Sequence, residues 1–292
     1  MNFAFYLHNE INTAAFEAQL LWFKKHYNLV SIHELRDYIY GGKTLKNACM
    51  LSVDDGWRST YDVIFPIMKK HNVPFTIFVS PEICRSEKNF WYFTYKFCKE
   101  DELKDIMIRR GYFFPEVKKF PGDLIMKEIY IDEVYDVLDE YLSYHPEIEI
   151  PRGFMNEKEL LTLRDSGLVE IGAHTLIHPI LSFESRERSK NEISKSIIEL
   201  SELLDTEVKT FAYPNGMENV DFNKDDMEFA RESGIDMAFS VDPGIISTSV
   251  NPLSIPRWGS VARLKFGRLG QYLPSRANQA GIRSKIREFI KR

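Results

Sequence analysis

The stretch LSVDDGW, residues 51–57, places two adjacent carboxylates and a glycine directly after an apolar run. The run ACMLSV, which starts at Ala48, is typical of a buried strand. Asp54 and Asp55 repel each other, so a strand end that keeps both indicates a positive group for them to hold. A helix N-cap after a βα turn is the simpler alternative, since Asp caps well and Gly permits a tight bend. The residues at the ends of the other strands decide between a site for a positive group and a helix N-cap.

Strand patterns alternate with helical patterns along most of the chain. The predicted strands are FAFYLH, NLVSI, ACMLSV, VPFTIFVS, LVEIGAH, VKTFAYP, IDMAFSV and LSIPRW. This alternation is typical of an α/β fold with a mostly parallel sheet, either open or closed into a barrel. In both forms a functional site lies at the carboxyl ends of the strands.

Residues 85–150 interrupt the alternation and are dense in aromatic and charged side chains. Within them, DLIMKEIYIDEVYDVLDEYL (123–142) is predicted to be one long amphipathic helix. We therefore predict a helical insertion at about 85–150 in a domain that spans 1–262.

Charge is unevenly distributed, and the C-terminal tail, 263–292, is basic. From residue 261 onward nine Lys or Arg accompany one Glu, a net charge of +8, whereas the rest has 29 basic and 42 acidic residues, a net charge of −13. The acidic body argues against nucleic-acid binding. The amphipathic end SKIREFIKR (284–292) is compatible with peripheral contact with an anionic membrane, a docked helix or a solvated end.

The composition predicts a soluble protein of the cytoplasm. Apolar residues make up 44% and charged residues 28%, with no apolar run of eighteen. The N-terminus MNFAFYLHNE lacks a basic region and is typical of a strand, not of a signal peptide. Three cysteines without CxxC spacing favour neither a disulfide framework nor a zinc finger.

Polar side chains stand after several of the predicted strands. His174 and His178 come after VEIGA, Asn215 comes after TFAYP, and His8 ends the first strand. Two imidazoles and a carboxylate with one open position form a common catalytic divalent-metal set. Each signal alone has an ordinary explanation, as surface histidines, a core histidine or a turn. Their joint occurrence at strand ends favours the metal site.

SVDDGW, EIGAHTLIHPIL and FAYPNG, in this order, resemble the signature of the polysaccharide deacetylase family, the NodB-homology domain of carbohydrate esterases. The resemblance implies a distorted (β/α) barrel of about seven units. It implies Asp55, His174 and His178 as ligands of a divalent metal, usually zinc, and Asp54 as the general base. The implied oxyanion donor is a backbone N–H of the loop that holds Tyr213, Pro214 and Asn215. Thr175 would orient the ligand loop.

Two departures from the family pattern matter. Ala212 stands where the common form R-P-P-Y-G has an Arg that braces the base, and Arg257 is a candidate for the missing cation. The C-terminal L-x-H motif, whose His is the general acid, is also missing, because His178 is the last His. A circularly permuted branch carries that strand at the N-terminus, where Leu7 and His8 stand, so the resemblance implies His8 as the general acid.

Aromatic side chains are candidates for a sugar subsite. Trp57 comes just after the DDG and is expected either to line the subsite or to pack under the first helix of the barrel. Trp91 and Tyr92 belong to the insertion and are expected to fold down as a lid.

The resemblance implies hydrolysis of the acetamide of an N-acetylated amino sugar. Without a signal peptide, we expect a nucleotide- or lipid-linked precursor of a cell-surface glycan, at or near the inner membrane surface. Two alternatives stay open: the same chemistry on an O-acetyl sugar or a non-sugar amide, and a non-catalytic carbohydrate-binding or scaffold protein of the same fold.

Overall fold

The computed structural model describes residues 1–9, 12–86, 88–259 and 273–290, with side chains of the last range from 279 onward. In this part of the chain eight strands form one sheet with parallel pairing throughout. They are β1 (Phe3–Leu7), β2 (Asn28–Leu29), β3 (Ala48–Val53), β4 (Phe75–Val79), β5 (Val169–Ala173), β6 (Thr210–Ala212), β7 (Met237–Phe239) and β8 (Trp258–Gly259). The order is β7-β6-β5-β4-β3-β1-β8, with β2 also on β3. The predicted α/β class is confirmed.

The segment that ends in β8 joins the two edges of the sheet. Ile255 forms a parallel bridge with Phe239 of β7, and Trp258 pairs with Phe5 of β1. The sheet therefore curls into a distorted barrel, and this short segment is its closing element. A side chain that points inward from this segment therefore reaches the middle of the barrel.

Twelve α-helices accompany these strands in the described ranges. They are α1 (Thr13–His26), α2 (Ile32–Ile39), α3 (Phe65–Lys70), α4 (Pro81–Ser86), α5 (Trp91–Thr94), α6 (Glu100–Arg109), α7 (Gly122–Met126), α8 (Ile131–Tyr144), α9 (Glu157–Arg164), α10 (Arg186–Leu204), α11 (Lys224–Glu232) and α12 (Leu273–Arg287). A π-helical stretch, Thr60–Ile64, leads into α3. Asn156 caps α9 in a capping box with Glu159. No helix in these ranges combines the length and apolar content that a membrane crossing requires.

Strand β3 explains why an apolar run precedes the two aspartates. All six of its residues are buried, because both faces of the strand are covered. Leu51 and Val53 belong to the core under the surrounding helices, whereas Met50 belongs to a second cluster with Phe78 and Phe239. A strand covered on both faces has a continuous apolar sequence without alternation.

Helices α5 to α8 pack into a core of their own, together with Ile286 of α12. The prediction of one long helix over 123–142 is wrong, since α7 ends at Met126 and α8 starts at Ile131. Glu133 accepts a hydrogen bond from the backbone N–H of Tyr130 and so caps the start of α8. Glu128 lies between the two helices, fully buried, and binds arginines of α12.

The described part of the basic tail is a docked helix. Ile286 is fully buried, and Arg283, only 2% exposed, pairs with Glu128 and with Asp221. The start of the tail, up to residue 272, lies outside the described residues.

Candidate active site

The ends of β1, β3, β5 and β6 meet at one rim of the barrel around a cavity of about 410 Å³. Ten of the predicted site residues line it, namely His8, Asp54, Asp55, Trp57, Trp91, Tyr92, His174, His178, Tyr213 and Asn215. The parallel sheet produces this convergence, because the carboxyl ends of all its strands face the same side.

Asp55, His174 and His178 form a compact, buried set of ligand atoms. The Oδ1 atom of Asp55 lies 3.3 Å from Nε2 of His174 and 3.5 Å from Nε2 of His178. Burial raises the pKa of Asp55, but the two imidazoles beside its Oδ1 atom outweigh it and hold that pKa well below its usual range. Burial lowers the pKa of His178 and so favours the neutral imidazole, the form that binds a metal.

Neighbouring groups orient two of these ligands. Nδ1 of His174 lies 2.6 Å from the carbonyl oxygen of Ala212, which can only accept, so Nδ1 carries the proton and Nε2 is left as a ligand atom. The indole N–H of Trp57 donates to Oδ2 of Asp55 at 2.9 Å. The three ligand atoms lie within 4.8 Å of one another. This donor set fits a divalent cation with an open coordination position.

The backbone around the ligands is strained. Of the eight non-glycine residues with positive φ in the described chain, four lie here: Asp55 (73°), Thr175 (62°), His178 (62°) and Asn215 (58°). Each such conformation costs on the order of 1–3 kcal/mol and persists only where its surroundings hold it. The Thr175 hydroxyl donates to the carbonyl of His174 and accepts the N–H of His178, so it braces the turn between the two ligands.

Asp54 is bound by Arg257 through two hydrogen bonds. Nη1 of Arg257 lies 2.7 Å from Oδ1 of Asp54, and Nη2 lies 2.9 Å from Oδ2. The same guanidinium donates to the hydroxyl of Ser52 and to the carbonyl of Ser240. Arg257 is fully buried on the segment that closes the barrel. A planar guanidinium held at both ends fixes the orientation of the carboxylate.

His8 lies next to Asp54 because of the strand register. Leu7 pairs with Val53, and the N–H of Asp54 donates to the carbonyl of Leu7 at 3.1 Å. The next residues along the two strands therefore stand side by side at the cavity. The histidine and the two aspartates come from neighbouring strands although they are about 46 residues apart in sequence.

The loop after β6 shapes the opposite wall. Tyr213 stacks on Phe222 with ring centroids 3.7 Å apart, and its hydroxyl donates to the carbonyl of Leu253. The N–H of Tyr213 donates to a carbonyl of β7, and that of Gly216 donates to the carbonyl of Pro214. Asn215 stands at the tip of this turn and lines the cavity.

Trp57 and Trp91, the tryptophans proposed for a sugar subsite, are buried and do not form an exposed surface on which a sugar ring could stack. Trp57 lines the cavity, as one of its two expectations had it, but it is only 4% exposed. It packs against Phe154 and Phe93, in a cluster without any residue of α1, so the other expectation, packing under the first helix of the barrel, is wrong. Trp91, 2% exposed, belongs to the insertion core and also lines the cavity. Burial, and then the charge of Asp55, raises the pKa of Tyr92 well above its usual value, so its phenol stays protonated.

Three residues at the site carry no recognisable signal in the sequence. Lys96 and Lys127 of the insertion line the cavity, and Nζ of Lys96 lies 5.1 Å from the Trp57 ring centroid. Glu192 of α10 reaches the loop between the two histidine ligands. Spacing could not reveal them, since Lys96 and Lys127 lie in the insertion and Glu192 lies on a helix outside the motifs.

A distorted parallel barrel with a buried Asp-His-His set at its carboxyl rim defines the class of protein. The polysaccharide deacetylase family model matches residues 41–238, and the chain belongs to this family. The resemblance carried by the three motifs is thereby confirmed, as is the predicted barrel.

A sequence relative supports the same family assignment. Poly-beta-1,6-N-acetyl-D-glucosamine N-deacetylase from Staphylococcus aureus is 22% identical over 258 residues, which cover 85% of this chain and 66% of that protein. The chain thus spans just under two thirds of the length of this relative.

Solved structures show the fold. IcaB from Ammonifex degensii superposes with a TM-score of 0.61 at 17% identity, with 96% of both chains covered. The Streptococcus pyogenes deacetylase PplD superposes with a TM-score of 0.59 at 15% identity, with 90% of this chain and 92% of that chain covered.

Proposed function

We propose that this protein is a metal-dependent hydrolase that removes the acetyl group from an N-acetylated amino sugar. The observation that carries the proposal is the buried set of Asp55, His174 and His178 beside a second carboxylate, Asp54, at one cavity. Family membership supports it, as does the name of the Staphylococcus aureus relative, an N-deacetylase of a glucosamine polymer.

Each residue has a defined task in this reaction. Asp55, His174 and His178 would hold a divalent metal, which would supply an acidified water and polarise the amide carbonyl. Asp54, held in place by Arg257, takes the proton from the attacking water. Zinc is the metal that we expect, because two imidazoles and one carboxylate form a frequent catalytic zinc set.

The C–N bond then breaks, and the leaving nitrogen needs a proton. His8 lies beside Asp54 at the cavity and is the group that we propose as the general acid. The oxyanion needs a donor, for which we propose the backbone N–H of Asn215, at the tip of the turn. The products are acetate and the free amine.

We propose a phosphate-linked precursor of the amino sugar as the substrate, and the charges at the cavity support this choice. Asp54 is neutralised by Arg257, and Asp55 would be neutralised by the metal, whereas Lys96 adds positive charge at the cavity wall. A nucleotide- or lipid-linked amino sugar carries phosphate that such charges attract. Location in the cytoplasm at the inner membrane surface belongs to this proposal.

A surface at the end of α12 supports membrane contact. Phe114 is 47% exposed, and Phe289 packs beside Phe120 with Lys119 above both rings. Basic and aromatic side chains together favour the interface of an anionic bilayer. We expect the protein to sediment with anionic but not with neutral vesicles. Equal sedimentation with both, or with neither, would remove this part of the proposal.

The deciding experiment measures metal content and acetate release. The substrates are N-acetyl sugars, free, oligomeric and nucleotide-linked, with O-acetyl sugars and simple amides as comparisons. We expect about one metal per chain in wild type, Asp54→Ala and His8→Ala. We expect the two variants to lose about a hundredfold or more in activity. His33→Ala, an exposed histidine outside the site, is the matched control and should retain full activity.

The outcomes separate the alternatives. Acetate release from O-acetyl sugars or simple amides alone would replace the N-acetyl substrate and keep the chemistry. Metal binding without any turnover would favour a carbohydrate-binding or scaffold protein of the same fold. Full activity in His8→Ala would place the general acid elsewhere.

A further inference from the structure

We infer that Glu192 is a positioning residue that holds the metal-ligand loop, 174–178, in its binding conformation. The inference rests on the proposed metal-dependent function. Glu192 lies on α10, outside the three family motifs, and no feature of the sequence singles it out. Its side chain is 1% exposed although it carries a carboxylate.

The contacts of Glu192 are with the ligand loop itself. Oε2 accepts the N–H of Leu176 at 3.0 Å and the N–H of Ile177 at 3.2 Å. The next N–H, of His178, donates to the hydroxyl of Thr175. Three successive backbone donors between the two histidine ligands are thus bound by two side chains, so the turn cannot relax without breaking these bonds.

The loop needs this support because its conformation is unfavourable. Thr175 and His178 both adopt positive φ, a region that residues with a Cβ rarely occupy. Charge-assisted hydrogen bonds from backbone N–H groups to a buried carboxylate are stronger than neutral ones and offset such strain. Glu192 therefore keeps the two imidazoles aimed at one point.

Glu192 also connects the loop to the insertion. Oε1 lies 3.2 Å from Nη2 of Arg188, and the same nitrogen lies 3.0 Å from Oδ1 of Asp132 in α8. The charge of the buried carboxylate is thus partly compensated, while its other oxygen remains on the loop. Through this chain of contacts the insertion takes part in positioning the metal ligands.

Metal affinity tests the inference without any use of enzymatic activity. Zinc is added to the metal-free full chain in competition with a chromophoric chelator, and the dissociation constant is compared between wild type, Glu192→Ala and Glu192→Gln. We expect Glu192→Ala to bind zinc about ten- to a hundredfold more weakly, the usual effect of removing an outer partner of a metal ligand. Glu192→Gln keeps one acceptor oxygen but loses the charge, so we expect a smaller but measurable loss, of no more than about tenfold.

The matched control is Glu202→Ala, an exposed carboxylate on the same helix. It should bind zinc as wild type does. Thermal unfolding of the metal-free proteins separates a general loss of stability from a loss of positioning, since a purely structural role would lower the melting temperature and leave the affinity of the folded protein unchanged.

Wild-type affinity in a folded Glu192→Ala would overturn the inference. If Glu192→Ala does not fold, wild-type affinity in Glu192→Gln would overturn it instead. A wild type that binds no zinc would remove the proposed metal chemistry and this inference together. Tight binding by wild type without acetate release would remove the proposed function alone.

Discussion

At the scale of single residues, the site is a set of buried charges that each have a partner. Asp54 has the guanidinium of Arg257, and Asp55 has two imidazoles and the indole N–H of Trp57. A buried charge without a partner is far more costly than the pair is favourable. Removing one partner should therefore affect stability as well as activity.

Arg257→Met should lower the free energy of unfolding by about 3–5 kcal/mol, because it leaves the buried carboxylate of Asp54 without a counter-charge. Acetate release should fall as well, since the orientation of Asp54 is lost. Denaturant unfolding and the acetate assay measure the two effects. Arg231→Met, which removes an exposed arginine paired with Glu228, is the control and should change stability by less than about 1 kcal/mol. A similar small change in Arg257→Met would contradict the importance of the pair.

Trp57→Phe should weaken metal binding by about tenfold, because the ring still packs while the hydrogen bond to Asp55 is lost. Chelator competition gives the dissociation constant. Trp22→Phe, a tryptophan of α1 that stacks on His26, serves for comparison and should bind the metal as wild type does. An unchanged affinity in Trp57→Phe would mean that the indole N–H does not orient the carboxylate.

At the scale of secondary-structure elements, the start of a helix is bound by a charged side chain from a loop that is distant in sequence. Glu184, after β5, accepts the backbone N–H of Ile131 at 2.7 Å and so binds the start of α8. Burial raises the pKa of Glu184 to about 7, although the N–H of Ile131 and the nearby Arg188 act in the opposite direction. The folded protein therefore binds this proton more tightly than the unfolded chain does.

The sign of the pH effect follows from that difference in proton binding. Between the unfolded pKa, near 4.5, and about 7, the folded state holds more protons, so Glu184 makes stability fall as pH rises. Glu184→Gln should remove this contribution and be more stable than wild type by about 1–2 kcal/mol at pH 8, with little difference at pH 4. Denaturant unfolding at both pH values measures it. An equal difference at the two pH values would contradict the raised pKa.

At the scale of the whole molecule, α12 ties the insertion to the barrel. Arg283 binds Glu128 of the insertion and Asp221 of the loop after β6, and all three are buried. Oδ2 of Asp221 in turn accepts the N–H of Met217, which comes shortly after Asn215 at the tip of the turn. The described part of the basic tail is thus part of the folded molecule and contacts the loop that borders the cavity.

Arg283→Met should lower the free energy of unfolding by about 3–5 kcal/mol, since it leaves two buried carboxylates without their shared cation. Arg287→Met is the matched control on the same helix, because Arg287 also binds Glu128 but is 46% exposed. Its loss should cost less than about 1 kcal/mol. Similar losses in the two variants, measured by denaturant unfolding, would contradict the buried network.

The motifs predicted which residues meet at the site because each of them ends a strand. In a parallel sheet the strand ends share one rim, so Asp55, His174 and His178 could be placed together from their positions alone. The same reasoning failed for the helix predicted over 123–142. Its amphipathic pattern continues through Glu128, but Glu128 is bound by arginines more than 150 residues away in sequence.

The sequence by itself therefore determined the α/β class, the strands and which polar side chains follow them, because burial and strand ends leave local patterns, whereas the choice of Asp55 over Asp54 as a candidate ligand came from the family resemblance. Only the tertiary structure decided which side chains hold the residues of the site in position. Arg257 meets Asp54 across 203 residues, and Glu192 meets the ligand loop from a separate helix. Contacts of this kind depend on how separate elements pack against each other. Local periodicity and spacing in the sequence do not reveal that packing.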